Sequence, residues 1–152
     1  MFVSKFFRPS TLSRFSSLFY NIDHEWIDFD PKTKVGRVGV TDYAQKQLGE
    51  IEKIEMPSIG QVFKQGEVMG VVTSDKVIDD IYCPLSGSVI ELNHKAIESP
   101  HIINTDPEDS GWLLKLKIEN LSELDQLYDK DDYMKLLKQL EKRKDSSSSD
   151  SD

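Results

Sequence analysis

Short segments rich in Val and Ile, separated by Gly and Pro, fill the chain between about residues 20 and 120. This pattern constrains the fold most, because many short strands with turn residues between them favour a β-sandwich or a flattened barrel. The clearest segment alternates apolar residues with Lys115 and Lys117, which is typical of a strand with one buried face. The predicted strands are 34–40, 51–56, 68–74, 77–82, 88–92 and 112–118.

Two helical regions are expected beside these strands. A short helix is predicted over 41–48, with Thr41 or Asp42 as its cap. Near the C-terminal end, leucines and one methionine recur mostly every three or four residues across 121–144. This spacing indicates an amphipathic helix, which the acidic residues within 129–132 can interrupt.

The two ends of the chain differ from its middle in composition. Residues 1–19 contain three basic and no acidic residues and are rich in Ser, which is typical of a transit peptide. We therefore predict cleavage within 14–20 and a mitochondrial location; the alternative is a slightly basic, unstructured tail. The predicted organisation is a mitochondrial transit peptide (1–19), a β domain (20–120), a helical segment (121–144) and a disordered acidic, Ser-rich tail (145–152).

Composition excludes several classes of function. The single cysteine, Cys83, rules out internal disulfides and cysteine-rich zinc sites, and the three histidines lack the spacing of metal ligands. A net charge of −8 disfavours nucleic acid as a partner, because phosphate contacts need clustered Lys and Arg. No apolar run approaches the roughly 18 residues of a membrane span. We predict no metal, nucleic-acid or membrane partner.

A tight hairpin is the most distinctive local feature. Two predicted strands are separated only by Asp75 and Lys76, and a two-residue loop pushes its side chains into solvent. Lys76 is therefore expected at the tip, followed closely by Asp79 and Asp80. Turn geometry alone leaves open whether this lysine has a function or is an ordinary solubilising charge.

The residues around the hairpin resemble the attachment site of lipoyl-carrier proteins. In those proteins a hairpin lysine carries lipoate, a Gly-x-x-x-Gly run precedes it and a Pro-x-x-Gly turn follows it. Segment 66–87, GEVMGVVTSDKVIDDIYCPLSG, contains all three features. Biotin carriers are similar in shape but flank their lysine with methionines, which Lys76 lacks. The resemblance implies lipoate on Lys76 and a mainly β, lipoyl-domain-like sandwich with one short internal helix and a C-terminal helix.

Motifs outside the hairpin resemble one lipoyl family in particular, the glycine cleavage system H proteins. The acyltransferase lipoyl domains of 2-oxoacid dehydrogenase complexes lack the HEW and TDYAQ motifs, which occur here at 24–26 and 41–45, and they are joined to a catalytic domain. The segment TSDKV at 73–77 departs from the Glu-Ser-Val-Lys-Ala usual in H proteins. The matching motifs are His24-Glu25-Trp26, GVTDYAQ at 39–45, NTDP at 104–107, GWLLK at 111–115 and Asp132-Tyr133.

The resemblance implies a carrier without catalytic groups of its own, not an enzyme. In this family a pyridoxal-phosphate glycine decarboxylase loads an aminomethyl group onto the lipoyl arm. An aminomethyltransferase passes the carbon to tetrahydrofolate, and dihydrolipoyl dehydrogenase reoxidises the arm. These enzymes and a lipoate-attaching enzyme are the predicted partners, and the carrier supplies effective concentration and protection.

The resemblance also implies which acids contact the loaded arm. The loaded arm ends in a cationic amine, which carboxylates can hold in a cleft that excludes water. The corresponding residues are Glu25 and Asp80, with Asp23 as a further contact. The alternative is that all three are surface acids, since most Asp and Glu are exposed.

Two other functions remain open at this point. A lipoyl relay protein, which donates lipoate to 2-oxoacid dehydrogenases, would use the same lysine. A non-lipoylated interaction domain would keep the fold and lose the chemistry.

Overall fold

The computed structural model describes residues 17–150, so residues 1–16 of the predicted leader and residues 151–152 lie outside it. The described chain forms two antiparallel sheets. The strands are β1 (Ser17–Tyr20), β2 (Glu25–Asp30), β3 (Val35–Val40), β4 (Ile51–Glu55), β5 (Val62–Phe63), β6 (Val68–Ser74), β7 (Ile78–Tyr82), β8 (Gly87–Leu92) and β9 (Leu114–Ile118). The larger sheet has the order β1-β2-β3-β9-β8-β5 and the smaller one β4-β6-β7. The predicted fold class, a mainly β sandwich, is confirmed.

Strand β9 lies inside the larger sheet and pairs with both β3 and β8. Leu114, Leu116 and Ile118 are buried, whereas Lys115 is half-buried and Lys117 is exposed. The predicted alternation of buried and more exposed side chains is therefore confirmed. It arises because successive side chains of a strand point to opposite faces of the sheet.

Buried side chains from both sheets form one hydrophobic core. Each large aliphatic side chain buried there stabilises the fold by about 1.5–3 kcal/mol relative to an exposed one. Representative core residues are Ile27, Phe29 and Val38 from the larger sheet and Ile54, Val72 and Ile81 from the smaller one.

Trp26, the second residue of β2, is buried and is held by both packing and hydrogen bonds. Its ring lies against Gly39, where an added Cβ would be 2.6 Å from the ring. Its indole N–H donates to the carbonyls of Val40 at 2.9 Å and Pro107 at 3.1 Å. The buried indole is therefore both packed and hydrogen-bonded, which joins β2 to two other parts of the chain.

The first internal helix, α1 (Asp42–Leu48), forms where it was predicted. The Thr41 hydroxyl caps it by accepting a hydrogen bond from the Ala44 amide at 3.1 Å. The prediction of one short internal helix was incomplete, because α2 (His94–Glu98) and α3 (His101–Thr105) also form. Each contains five residues, which is too short to show a helical period in the sequence.

The C-terminal region contains a 3₁₀ helix (Leu121–Gln126) and α4 (Lys130–Asp150). The region divides into two helical pieces as predicted, but the break lies at 127–129 and not at 129–132, because Asp131 and Asp132 belong to the first turn of α4. Helix α4 also extends to residue 150, into the segment 145–152 predicted to be disordered. Extending a formed helix costs much less than nucleating one, so polar residues can continue it. None of the helices within residues 17–150 is long and apolar enough to cross a membrane.

Strand β1 includes Ser17–Phe19, which the sequence assigned to the leader. It forms the edge of the larger sheet next to β2. Tyr20 at its end exchanges two backbone hydrogen bonds of 2.8 Å with Tyr128 and stacks on Tyr133 of α4, with ring centroids 4.2 Å apart. The β domain therefore begins at least three residues before the predicted boundary at residue 20.

Candidate functional site

The predicted hairpin is present, and its turn places Lys76 in solvent. Asp75 and Lys76 form the two-residue loop, and the Ser74 amide donates to the Val77 carbonyl at 2.8 Å. Neither loop residue has a positive φ, so the turn differs from the common primed types. Instead, the Ser74 hydroxyl accepts hydrogen bonds from the amides of Lys76 at 3.2 Å and Val77 at 3.1 Å. Sequence reasoning missed this role, although serine is a known turn residue.

A cavity of about 180 Å³ lies next to the hairpin, between β2, β7 and α1. Four carboxylates line it, and we call it the acidic cavity. Apolar side chains, including Val40, Leu48 and Val72, form other parts of its wall. The three arm contacts predicted from the sequence therefore share one cavity, and Asp79 joins them. The four acids are Asp23, Glu25, Asp79 and Asp80.

Glu25 is the buried acid of the acidic cavity, with 3% of its surface exposed. Its Oε1 accepts a hydrogen bond of 2.7 Å from the Asn21 side-chain amide, whose oxygen accepts one of 2.8 Å from the Glu25 backbone. Burial raises the pKa of Glu25 to about 8, and the nearby Asp23 and Asp79 add to the rise. The reading of Glu25 as a solvated surface acid is therefore wrong, and Asn21 is a positioning residue that the sequence did not indicate.

The other three acids lie at the solvent side of the acidic cavity, and each is exposed. The Asp23 backbone amide donates to the Asn21 side-chain oxygen at 3.1 Å, so one asparagine orders both predicted acids of this loop. Partial burial raises the pKa of Asp23, with Asp79 contributing to the rise. Four carboxylates in this arrangement favour a cation over a neutral or anionic guest.

His24 joins the wall of the acidic cavity to the C-terminal helix. Its Nδ1 lies 2.9 Å from the Tyr133 hydroxyl, which lies 2.8 Å from the Thr41 hydroxyl. The His24 ring also contacts the Tyr43 ring, with centroids 4.5 Å apart. Burial lowers the pKa of His24. This contact explains why histidine begins the first motif and tyrosine occurs in the last one, although they are 109 residues apart.

A β-sandwich that presents one lysine on a tight hairpin beside an acidic cavity has the arrangement that the sequence predicted for a lipoyl carrier. Comparison with known proteins identifies the family. The family model described as "Glycine cleavage H-protein" matches residues 18–140. The chain therefore belongs to the glycine cleavage H-protein family, and its predicted role as a lipoyl carrier of the glycine cleavage system is confirmed.

Individual relatives agree with this assignment. A glycine cleavage system H protein from Carboxydothermus hydrogenoformans is 46% identical over 120 residues, which cover 79% of this chain and 91% of the relative. One from Thermotoga maritima is 40% identical over 120 residues, covering 79% and 95%. The crystal structure of a glycine cleavage system H protein from Mycobacterium marinum has a TM-score of 0.70 and 33% identity, covering 77% of this chain and 93% of that one.

The comparisons correct the predicted location. The curated relatives named above are bacterial proteins, so a mitochondrial location and transit peptide are not supported, and that prediction was wrong. The predicted location rested on composition alone. A basic, Ser-rich segment without acidic residues does not by itself show in which compartment a protein is found. Part of the predicted leader is instead strand β1.

Proposed function

We propose that Lys76 carries lipoate through an amide bond, and that the protein is a carrier subunit with no reaction of its own. The observation that supports this most is the position of Lys76, the lysine of an exposed two-residue turn beside the acidic cavity. When bound, lipoate supplies a dithiolane on a flexible arm, which can be reduced and can carry a one-carbon group.

The surroundings of Lys76 fit such an attachment. Within residues 17–150 its ammonium forms no ion pair, so an amide that removes the charge would break none. The side-chain stem passes close to Gly49, where an added Cβ would lie 3.2 Å from Lys76 Cε. The stem is therefore supported by the backbone, while the end of the side chain faces solvent.

The acidic cavity is suited to receive a cationic amine at the end of the arm. The raised pKa of Glu25 keeps this carboxyl largely neutral at pH 7 when no cation is near, which avoids an uncompensated buried charge. A cation entering the cavity would lower that pKa, since an opposite charge favours the ionised form. Glu25 would then accept a charge-assisted hydrogen bond, while Asp23 and Asp80 contribute attraction from the solvent side.

Membership of the system implies partner enzymes, and we propose the four enzymes that the resemblance suggested. They are a pyridoxal-phosphate glycine decarboxylase, an aminomethyltransferase, dihydrolipoyl dehydrogenase and a lipoate-attaching enzyme. A tethered arm raises the effective concentration of its reactive end at each partner without requiring tight association.

The attachment is tested by intact mass after incubation with a lipoate-attaching enzyme, ATP and lipoate. Wild type should gain the mass of one lipoyl group, and Lys76→Arg should fold normally and gain none. Lys64→Arg, at another exposed lysine, is the matched control and should be modified like wild type. A modified Lys76→Arg variant would place the attachment elsewhere.

A further inference from the structure

The hairpin tip is held against the turn that follows α1. The Asp75 amide donates to the Glu50 carbonyl at 3.0 Å, and the Glu50 amide donates to Asp75 Oδ1 at 3.0 Å. Both bonds use the backbone of Glu50, whose side chain is exposed. This reciprocal pair, which we call the tip latch, connects the residue before Lys76 to a different part of the chain.

The turn beneath the tip latch requires a glycine. Gly49 has φ +87°, which is a left-handed conformation that disfavours side chains. An added Cβ would lie 2.6 Å from Asp75 Oδ1 and 3.3 Å from Lys76 Cδ. Only glycine therefore lets the carboxylate and the lysine stem come this close to the backbone.

The turn is itself fixed by Asn104 of α3. The Asn104 side-chain amide donates to the Gly49 carbonyl at 2.8 Å and to the Gln45 side-chain oxygen at 2.9 Å. The Asn104 side-chain oxygen accepts from the Ile51 amide at 2.9 Å. The turn that contacts Asp75 is therefore hydrogen-bonded to Asn104 on both sides of Glu50, at Gly49 and at Ile51.

We infer that Asp75 is a positioning residue that holds the hairpin tip in the orientation in which the lipoate-attaching enzyme takes Lys76. This inference rests on the proposed attachment at Lys76. Asp75 touches no reacting atom; it acts by keeping one tip orientation populated. If release of the latch lowers the competent fraction, the apparent affinity falls by the same factor while turnover at saturation stays unchanged.

The test measures steady-state kinetics of lipoate attachment, with the carrier as the varied substrate. Asp75→Ala removes the acceptor of the Glu50 amide, and we expect KM for the carrier to rise about three- to tenfold with kcat unchanged. Asp75→Asn keeps an oxygen acceptor and should restore KM to within about twofold of wild type. Glu50→Gln removes a neighbouring charge but no latch atom, so it should behave as wild type.

Amide hydrogen exchange on the unmodified proteins supplies a second measurement. The Glu50 amide should exchange faster in Asp75→Ala than in wild type or Asp75→Asn, whereas core amides such as that of Val72 should not change. Gly49→Ala should raise KM in the same direction, because its Cβ displaces the Asp75 carboxylate.

The possible outcomes separate the two proposals. A wild-type protein that accepts no lipoate overturns the attachment at Lys76 and the positioning role with it. Attachment to wild type with an unchanged KM in Asp75→Ala overturns the positioning role alone. A KM that rises equally in Asp75→Asn and Asp75→Ala also overturns it, because charge and not the hydrogen bond would then be responsible.

Discussion

Strand β9, inside the larger sheet, and strand β7, at the edge of the smaller one, use their side chains in opposite ways. In β9, buried leucines and an isoleucine alternate with lysines. In β7, Ile78, Asp79 and Asp80 are exposed in succession, and Ile81 is buried. Charged residues on an edge strand discourage pairing with another chain. The comparison shows that the buried positions of both sheets supply stability, while the exposed positions of β7, which follow the proposed lysine, form part of the acidic cavity.

The largest effect should come from a substitution in the stable region. Trp26→Ala removes a side chain that is 1% exposed and should lower the free energy of unfolding by about 3–5 kcal/mol. Ile78→Ala, beside the hairpin tip, should change it by less than about 0.5 kcal/mol, because Ile78 is 71% exposed. Urea denaturation of both variants measures the difference; similar losses would contradict the division between the two regions.

A second effect, on the pH dependence of stability, should come from Glu25. Its folded-state pKa of about 8 exceeds the ordinary value of 4.5, so the folded state binds the extra proton between these values. This group therefore makes the free energy of unfolding fall as the pH rises from about 4.5 to 8, by up to about 1.4 kcal/mol per pH unit.

Glu25→Gln removes this titration and can keep the hydrogen bond from Asn21. The variant should therefore become progressively more stable than wild type as the pH rises from 5 towards 8, as followed by urea denaturation at several pH values. Glu52→Gln, an exposed acid in β4, is the control and should show no such trend. A constant difference between Glu25→Gln and wild type would mean that Glu25 is already ionised at pH 5.

The smallest effect concerns the lifetime of the loaded carrier. Neutralising two acids of the acidic cavity, with Glu25→Gln and Asp80→Asn, removes the partners of a cationic amine. Spontaneous ammonia release from the purified loaded carrier should then be about tenfold faster, which corresponds to about 1.4 kcal/mol. Asp23→Asn alone should act in the same direction with a smaller effect.

The matched control for this experiment is Glu52→Gln with Glu55→Gln, which removes two exposed acids of β4 outside the acidic cavity. Ammonia release from this control should equal that of wild type. Equal half-lives for the cavity variant and wild type would assign protection of the arm to something other than these carboxylates.

Patterns within short stretches of sequence predicted much of the fold. The alternation in β9, the Thr41 cap and the two-residue loop at Lys76 are local features, so each could be found from neighbouring residues. Strand β2 was not predicted as a strand because its apolar and acidic residues alternate over only four positions, 27–30, and the buried Glu25 before them does not fit the alternation. Helices α2 and α3 were missed because each has only five residues.

The acidic cavity was predicted in part. Glu25, Asp80 and Asp23 were identified through the resemblance of their motifs, and they do line one cavity. Their unequal exposure, the support from Asn21 and the contact of His24 with Tyr133 were not predicted. Burial depends on what packs around a residue, and no stretch of sequence specifies its distant neighbours.

The β architecture, the family resemblance and the exposed lysine could all be predicted from the sequence, because alternation, turn residues and short motifs are each defined within a few positions. The packing of distant segments, in contrast, buries Glu25 and raises its pKa, whereas Asp23 and Asp80 remain exposed. The same packing brings Asp75 to the backbone of Glu50, 25 residues earlier in the chain. Desolvation and long-range hydrogen bonds exist only after distant segments have packed together, so their consequences follow from the folded chain.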